Sequence, residues 1–320
     1  ERRGSLAWAL DHTGTAMGAR MLRQWLTRPL LDKAQIGLRQ DSLQALVDDY
    51  YSCQQVRQAL GPVKDIERLL ARVIYQSANA RDLLALSRSL SVLPELGERL
   101  PAEAGGRWSR LAESLHVDPQ LLDLLQRGIA EDPPQGLREG GLIRAGYHQG
   151  LDELRQACTS AKGWIAALEE REREASGIRG LKVGYNQVFG YYLEVTKSQQ
   201  KLVPDHYIRK QTLANAERYF TPELKEIETK VLGAEDKIRE LEYELFLELR
   251  NQVARHGESL RRASRAVAEI DVYACLAEAA VRYHWVRPQI VEEDLVEIRG
   301  GRHPVVERSL DSGFVPNDCS

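Results

Sequence analysis

The chain has 320 residues, 43% of them hydrophobic and 28% charged, with a formal net charge of −3 and a mean hydropathy of −0.42. That length supports two or three domains with real cores, no apolar run approaches the roughly 18 residues that span a bilayer, and no signal-peptide layout opens the chain, which sets a cytoplasmic default. The cysteines (Cys53, Cys158, Cys275, Cys319) are scattered without a Cys-x-x-Cys pair and read as ordinary thiols of a reducing compartment, not as metal ligands or disulfides. The sequence starts without methionine and stops just after a turn-like Pro-Asn-Asp, the pattern expected of a piece of a longer protein.

Ser5 to Leu30 reads as two short helices. Leu6, Ala9 and Leu10 repeat at helical spacing, and Met17, Met21, Leu22, Trp25 and Leu26 form a second stripe that stops before Pro29. His12, with no nucleophile or paired acid in view, reads as a capping or packing residue. Asp32 is the expected N-cap of a helix that carries Ile36, Leu43, Leu46, Val47, Val56 and Leu60 up to Gly61-Pro62. Asp65 caps Ile66, Leu69, Leu70 and Val73, and Asn79 starts a helix through Leu90 that ends before Pro94. Arg68 and Arg72 read as a solvated or salt-bridged face. With Leu111–Leu115 and Leu121–Ile129 in the same style, the first 130 or so residues predict an all-helical bundle.

Past a Pro/Gly loop at residues 133–141 the period changes. Ile143, Tyr147, Leu151, Leu154, Cys158, Ala161, Ile165 and Leu168 make a heptad seam that should fade near Glu170 to Ser176. A second seam follows Thr221-Pro222, a good N-cap and N1 pair: Leu224, Ile227, Val231, Ala234, Ile238, Leu241, Leu245 and Leu249. Helical pattern continues to Val281, with a break expected near Gly257. Two heptad arms flanking one segment predict an antiparallel coiled coil with an insertion at its end.

That insertion, Ser176 to Thr221, differs from everything else in charge. It holds seven cations (Arg179, Lys182, Lys197, Lys201, Arg209, Lys210, Arg218) against three acids, so it carries +4 while the remainder carries −7. Five of the chain's twelve tyrosines lie in it. Leu181–Tyr185 and Val188–Lys197 predict paired strands around a turn at Asn186-Gln187. In Tyr207 to Asn215, the cations Arg209 and Lys210, the amide Gln211 and the hydroxyl Thr212 are expected just before and within the first turn of a helix, where they suit phosphate oxygens. No recognition helix with bidentate base readers is visible, so binding should be sequence-independent and salt-sensitive. From Arg287-Pro288 onward, Gln289–Arg299 is strand-like, and Gly300-Gly301 is no phosphate loop because no Gly-Lys-Ser/Thr follows.

Several stretches resemble the MutS family of DNA mismatch repair proteins. Near the start these are Gly4-Ser5-Leu6, Leu10-Asp11-His12-Thr13, Thr15-Ala16-Met17-Gly18, Leu22–Leu26 and Asp65–Arg72. The strongest are LKVGYNQVFGYYLEVTK, YIRKQTLANAERYFTPELKE and LGAEDK in and after the insertion, followed by Gly301–Glu307 and Phe314–Asp318. The resemblance implies a mainly α fold: a helical core bundle with two long lever helices that carry a small β-rich clamp, then the opening strands of a truncated α/β ATPase domain. It implies core/lever at 1–161, clamp at 162–221, returning lever at 222–285 and the start of the ATPase domain at 286–320. It further implies double-stranded DNA as partner, a homodimer and a MutL-type repair partner for the whole protein, and a bacterial, nucleoid-associated setting.

The positions that fall on the family's DNA contacts are Lys210, Ala214 and Asn215, with Arg209, Gln211, Thr212 and Lys182 around them. Ala214 departs from the pattern, since relatives often carry lysine there. Phe314 falls where the family stacks an aromatic ring on the adenine of ATP. ATP with Mg belongs to the whole protein, none being expected on this fragment, whose residues include neither Walker motif and should not hydrolyse ATP. Phe246-Leu247-Glu248 spells the family's mismatch-reading tripeptide inside a heptad helix and reads as coincidence. Two other readings stay open on sequence: a paralogue acting on recombination intermediates, and a coiled-coil protein-interaction scaffold.

Overall fold

The computed structural model describes residues 3–102, 106–186, 188–310 and 313–320. The chain is mainly helical. In order come α1 (Leu6–Leu10), α2 (Ala16–Thr27), α3 (Lys33–Asp48), α4 (Tyr50–Leu60), α5 (Ile66–Ile74), α6 (Ala80–Glu98), α7 (Arg107–Ser114) and α8 (Pro119–Gly128). Then follow α9 (Gln149–Ser176), β1 (Lys182–Asn186), β2 (Gly190–Thr196), a 3-10 helix (Lys197–Leu202), β3 (Ile208–Thr212), β4 (Ala216–Phe220) and α10 (Pro222–Arg255). The chain closes with α11 (Gly257–Tyr283), β5 (Ile298–Gly301), α12 (Pro304–Ser309) and β6 (Asn317–Cys319). Contacts divide it into two compact units, Glu1–Gln126 with Leu249–Ser320, and Arg127–Glu248. No described helix is long and apolar enough to cross a membrane.

The helices start where short polar side chains can take the orphan N–H groups of a first turn. Ser5, Thr15, Asp32, Asp65 and Asn79 accept from the backbone of Trp8, Gly18, Gln35, Arg68 and Asp82 at 2.9 to 3.2 Å. Asp82 returns a bond from its own carboxylate to the N–H of Asn79, a reciprocal box that fixes the start of α6. Arg68 and Arg72 are salt-bridged, to Asp65 at 3.4 Å and Asp82 at 2.8 Å. Two boundaries depart from the sequence reading. The pattern from Asp32 to Leu60 splits at Asp49, which caps α4 by accepting from Ser52 N–H at 3.0 Å. Helix α6 runs through Pro94 to Glu98, so the carbonyl of Leu90 goes without its usual donor.

In the first unit every helix from α1 to α5, and α7, packs on α11. Its composition explains this: Ala263, Ala266, Ala268, Ala274, Ala277 and Ala279 are small and buried, so neighbours approach from all sides. The one charge among them, Asp271, is fully buried. It accepts from Gly14 N–H at 2.8 Å, and from both Thr15 N–H and Thr15 Oγ1 at 2.7 Å. This carboxylate fixes where α2 begins. Gly18 is required beside it, because a Cβ there would sit 2.1 Å from Asp271 Oδ2. Two residues on from Asp271, Tyr273 meets Trp25 and Trp108 at ring distances of 5.5 and 5.4 Å, closing the core between α2 and α7.

In the second unit, α9 and α10 run antiparallel. Arg155 pairs with Glu242 and Lys162 with Glu235, each at 2.7 Å, and Arg171 pairs with Glu223, so one partner's number falls as the other's rises. Leu151, Cys158, Ile165 and Leu168 face Leu224, Ile227, Val231 and Leu245 as buried stripes. The seam expected to open at Ile143 and Tyr147 begins later: His148 caps α9, and Ile143 instead bridges to Ile129. Helix α9 ends at Ser176 with Gly177 as its left-handed C-cap, at the far end of the stretch where it was expected to fade. The break expected near Gly257 is present at His256.

The four strands between these helices form one antiparallel sheet in the order β1-β2-β4-β3. The turn expected at Asn186-Gln187 includes Gln187, which lies outside the described residues. The expectation of a helix starting within Tyr207–Asn215 is corrected: the segment is β3 and the turn into β4, closed by Leu213 N–H on the Ala216 carbonyl at 2.9 Å. Leu, Ala and Asn at 213–215 tolerate a helical turn. What wins is cross-strand packing, which lays Tyr219 opposite Leu193 over a buried cluster with Val195, Tyr207, Ile178 and Leu181.

Carboxylates from both helices hold that sheet. From α9, Glu169 accepts from Val183 N–H at 2.9 Å and Glu172 from Tyr207 Oη at 3.0 Å. From α10, Glu228 accepts from Tyr191 N–H at 2.6 Å. Gly190 makes the last contact possible, with φ of 73° and a would-be Cβ only 2.2 Å from Glu228 Oε2. At the other end of the pair, buried Glu242 takes Leu142 N–H at 2.8 Å as well as Arg155.

Two outcomes are expected. Asp271→Ala strands three donors of the α2 start and should cost about 3 kcal/mol in chemical denaturation; an unchanged midpoint would refute its role. Gly190→Ala should displace Glu228 and raise amide exchange at Tyr191 by about tenfold, the equivalent of one lost hydrogen bond; unaltered exchange would mean the carboxylate does not seat the sheet.

Candidate nucleic-acid interface

Strand pairing decides where each basic residue of the insertion points. Lys182, Glu194, Arg218 and Gln211 register on one face of the sheet, with Tyr192 beside them. Leu193 and Tyr219 register on the other, which the buried cluster covers. Arg209 and Thr212 pair opposite Tyr219 and Glu217, so they belong by register to that second face but stand exposed on the edge strand. Lys210 occupies the irregularity between Arg209 and Gln211. Its Nζ donates to the Phe189 carbonyl and lies 5.5 Å from the Phe220 ring centre. Asn215 lies exposed in the β3–β4 turn, and its carbonyl accepts from Lys197 N–H at 3.1 Å.

The predicted residues therefore do not form one cluster. Lys182 and Lys210 sit on the two outer strands of a four-stranded sheet, about 14 Å apart at ordinary strand spacing. The face between them is partly neutralised. Arg218 bonds Glu194 at 2.9 Å and the Gln211 carbonyl oxygen at 3.0 Å while stacking on Tyr192 at 4.1 Å. Arg209 approaches Glu217 at 3.8 Å. Two predicted contacts, Arg209 and Gln211, thus already have protein partners.

Four other cations remain without an ion pair among the described residues: Arg179, Lys182, Lys197 and Lys201, all exposed. Sequence reasoning counted Lys197 and Lys201 in the charge balance but did not single them out. Their signal was available, since both lie on the short helix that follows β2, and the Lys197–Asn215 bond brings that helix against the β3–β4 turn. Ala214 is exposed in the same turn. This end of the sheet presents Lys197, Thr212, Ala214 and Asn215 together.

The tyrosines are mainly structural. Burial first, and then the bond to Glu172, pushes the Tyr207 hydroxyl far above its ordinary range. Burial and Glu217 push that of Tyr219 up to about 12. In the first unit, burial holds His12 below its ordinary range, and Arg308, Arg282 and Arg57 act the same way. Such a neutral, packed imidazole suits the structural role read from sequence. Burial pushes the thiols of Cys53 and Cys275 up to about 11 and about 12, and the cysteines are unpaired. Phe314 is half-buried in the stretch between α12 and β6. Of the strand-like residues 289–299, only Ile298 and Arg299 enter a strand.

The sequence can now be set beside known proteins. It matches the family described as MutS domain III over residues 1–277. It is 51% identical over 320 residues to a protein of Geobacillus kaustophilus named DNA mismatch repair protein MutS, covering 99% of this chain and 36% of that protein. Proteins of the same name from Symbiobacterium thermophilum and Desulforamulus reducens are 49% and 47% identical over 318 and 319 residues. Each of those matches again covers 99% of this chain, and 36% and 37% of the relative. The chain spans little more than a third of the length of these curated relatives. With the match running through the α1–α7 bundle, both long helices and the sheet between them, the chain belongs to the MutS domain III family.

Proposed function

We propose that this chain is the lever-and-clamp part of a MutS-type DNA mismatch repair protein, and that its sheet grips the backbone of duplex DNA without reading sequence. The observation that carries this is the set of unpaired, exposed cations on a sheet held rigidly by carboxylates from two helices. Phosphate contact needs cations with hydrogen-bonding neighbours, and exposed Lys197 and Lys201 with Thr212 and Asn215 supply both, while Lys210 would exchange its bond to the Phe189 carbonyl for a phosphate oxygen. Nothing on the sheet resembles a helix or ribbon shaped for base edges, which favours backbone contact. The names of the relatives support the repair role.

In this reading the clamp occupies 162–221, the core and levers 1–161 and 222–285, and the start of an ATPase domain 286–320. The levers, working as an antiparallel coiled coil, transmit the state of that domain to the clamp. The whole protein acts as a homodimer on duplex DNA, uses ATP with Mg and meets a MutL-type partner. Residues 286–320 do not by themselves fit ATP. Phe314 offers one half-buried aromatic wall, and no Gly-Lys-Ser/Thr follows to hold phosphates.

Lys210→Glu should weaken duplex binding about tenfold with unchanged helicity, since it removes one charge-assisted contact and adds repulsion. Equal binding by the folded variant would refute Lys210 as a contact. Ala214→Lys, at an exposed turn, should tighten binding and steepen the dependence of log K on log salt by about one; no change would show that the turn faces away from DNA. Both are read by fluorescence anisotropy on duplexes of unrelated sequence.

A further inference from the structure

A surplus of unpaired cations borders one cavity in the first unit, away from the sheet residues discussed so far. Helices α2, α3, α7 and α11 enclose a cavity of about 800 Å³. Six arginines border it, Arg20, Arg28, Arg39, Arg107, Arg110 and Arg265, against two acids, Glu67 and Glu269. Both acids are already satisfied. Glu67 pairs with Arg20 at 2.7 Å, and Glu269 takes Arg107 Nε at 2.7 Å and the Tyr273 hydroxyl at 3.0 Å. Arg28, Arg39, Arg110 and Arg265 make no ion pair among the described residues.

Arg39 is the most telling of them. It is half-buried, lies 3.6 Å from the Trp25 ring centre and makes no ion pair among the described residues, with Glu269 of the same lining acting on it only at longer range. Burying part of a charge without a counter-charge is unfavourable. A second cavity of about 410 Å³ shares Arg110 and Arg265 with the first and adds Arg262 together with Arg261, which pairs with Glu258 at 3.7 Å. Planar guanidinium forks match phosphoryl oxygens two at a time. The volume is that of a small-molecule site.

We propose that this cavity binds a small polyphosphate, either the phosphate chain of a nucleotide or an inorganic polyphosphate, through Arg28, Arg39, Arg110 and Arg265. The site is separate from the proposed DNA contacts and does not depend on them. The test is titration calorimetry on the 320-residue chain with sodium tripolyphosphate, ATP and an oligoglutamate peptide as probes. Tripolyphosphate should bind, and Arg265→Glu and Arg39→Ala should each weaken it about tenfold, the worth of one charge-assisted contact, while Lys210→Glu leaves it unchanged. Arg265 is exposed, so its variant should keep native helicity whatever Arg39→Ala does to packing. ATP binding more tightly than tripolyphosphate identifies a nucleotide as the source, and the reverse order identifies inorganic polyphosphate. Three outcomes overturn the proposal: no binding, binding only of the oligoglutamate, or tripolyphosphate binding lost in Lys210→Glu but kept in Arg265→Glu.

Discussion

A small sheet with four short strands is marginal on its own. Here it is held by three carboxylates, Glu169 and Glu172 on α9 and Glu228 on α10, which take two backbone N–H groups and one buried phenol of the sheet. Everything proposed for the sheet depends on this arrangement. Charged acceptors make stronger hydrogen bonds than neutral ones, and bonds from both helices give the sheet a defined seat on the pair. A movement of α9 against α10 must therefore reach the strands. The same acids account for the charge pattern of the chain: the supporting helices are acidic partly because their carboxylates bind the sheet.

The first unit solves a related problem differently. Helix α11 is buried along nearly its whole length, and its alanines let several helices lie against it. Close packing of small residues gives little directional information, so position along the helix is set by polar contacts. Asp271 supplies one by binding the start of α2, and Glu269 another by holding Arg107 and Tyr273. In both units a buried carboxylate on a long helix fixes where the next element begins. Removing either partner of such a contact costs more than the contact itself contributes, because the other is left buried and unsatisfied.

How much of this was legible follows from how local each cause is. Helix starts at Asp32, Asp65 and Asn79 were readable because a cap and its N–H lie three residues apart. The stripes of α9 and α10 were readable for the same reason, and the first two strands from their β-branched and aromatic residues. Thr212 to Asn215 misled because their own preferences permit a helical turn, and only pairing with β4 settles the matter. Glu172 fell in the stretch read as the fading end of a helix, and nothing in sequence connects Glu169 or Glu172 to Val183 or Tyr207. The arginine-lined cavity was invisible, because residues 28, 39, 110 and 265 come together only once four helices have packed. Of the predicted DNA contacts, Lys182, Thr212 and Asn215 stay exposed, whereas Arg209, Lys210 and Gln211 are engaged with Glu217, the Phe189 carbonyl and Arg218.

The central claim is that free cations on a rigidly seated sheet hold a nucleic-acid backbone. Counterion release makes that claim quantitative, because each phosphate neutralised adds about 0.9 to the slope of log K against log salt. The decisive measurement is duplex affinity across a salt series, on two sequences with no base pairs in register, for the unaltered chain and for a variant with Lys197 and Lys201 changed to Gln. The account predicts equal affinity for both sequences, a negative slope for the unaltered chain, and a slope shallower by about two in the variant. A flat dependence on salt, or a slope that the variant leaves unchanged, would contradict it.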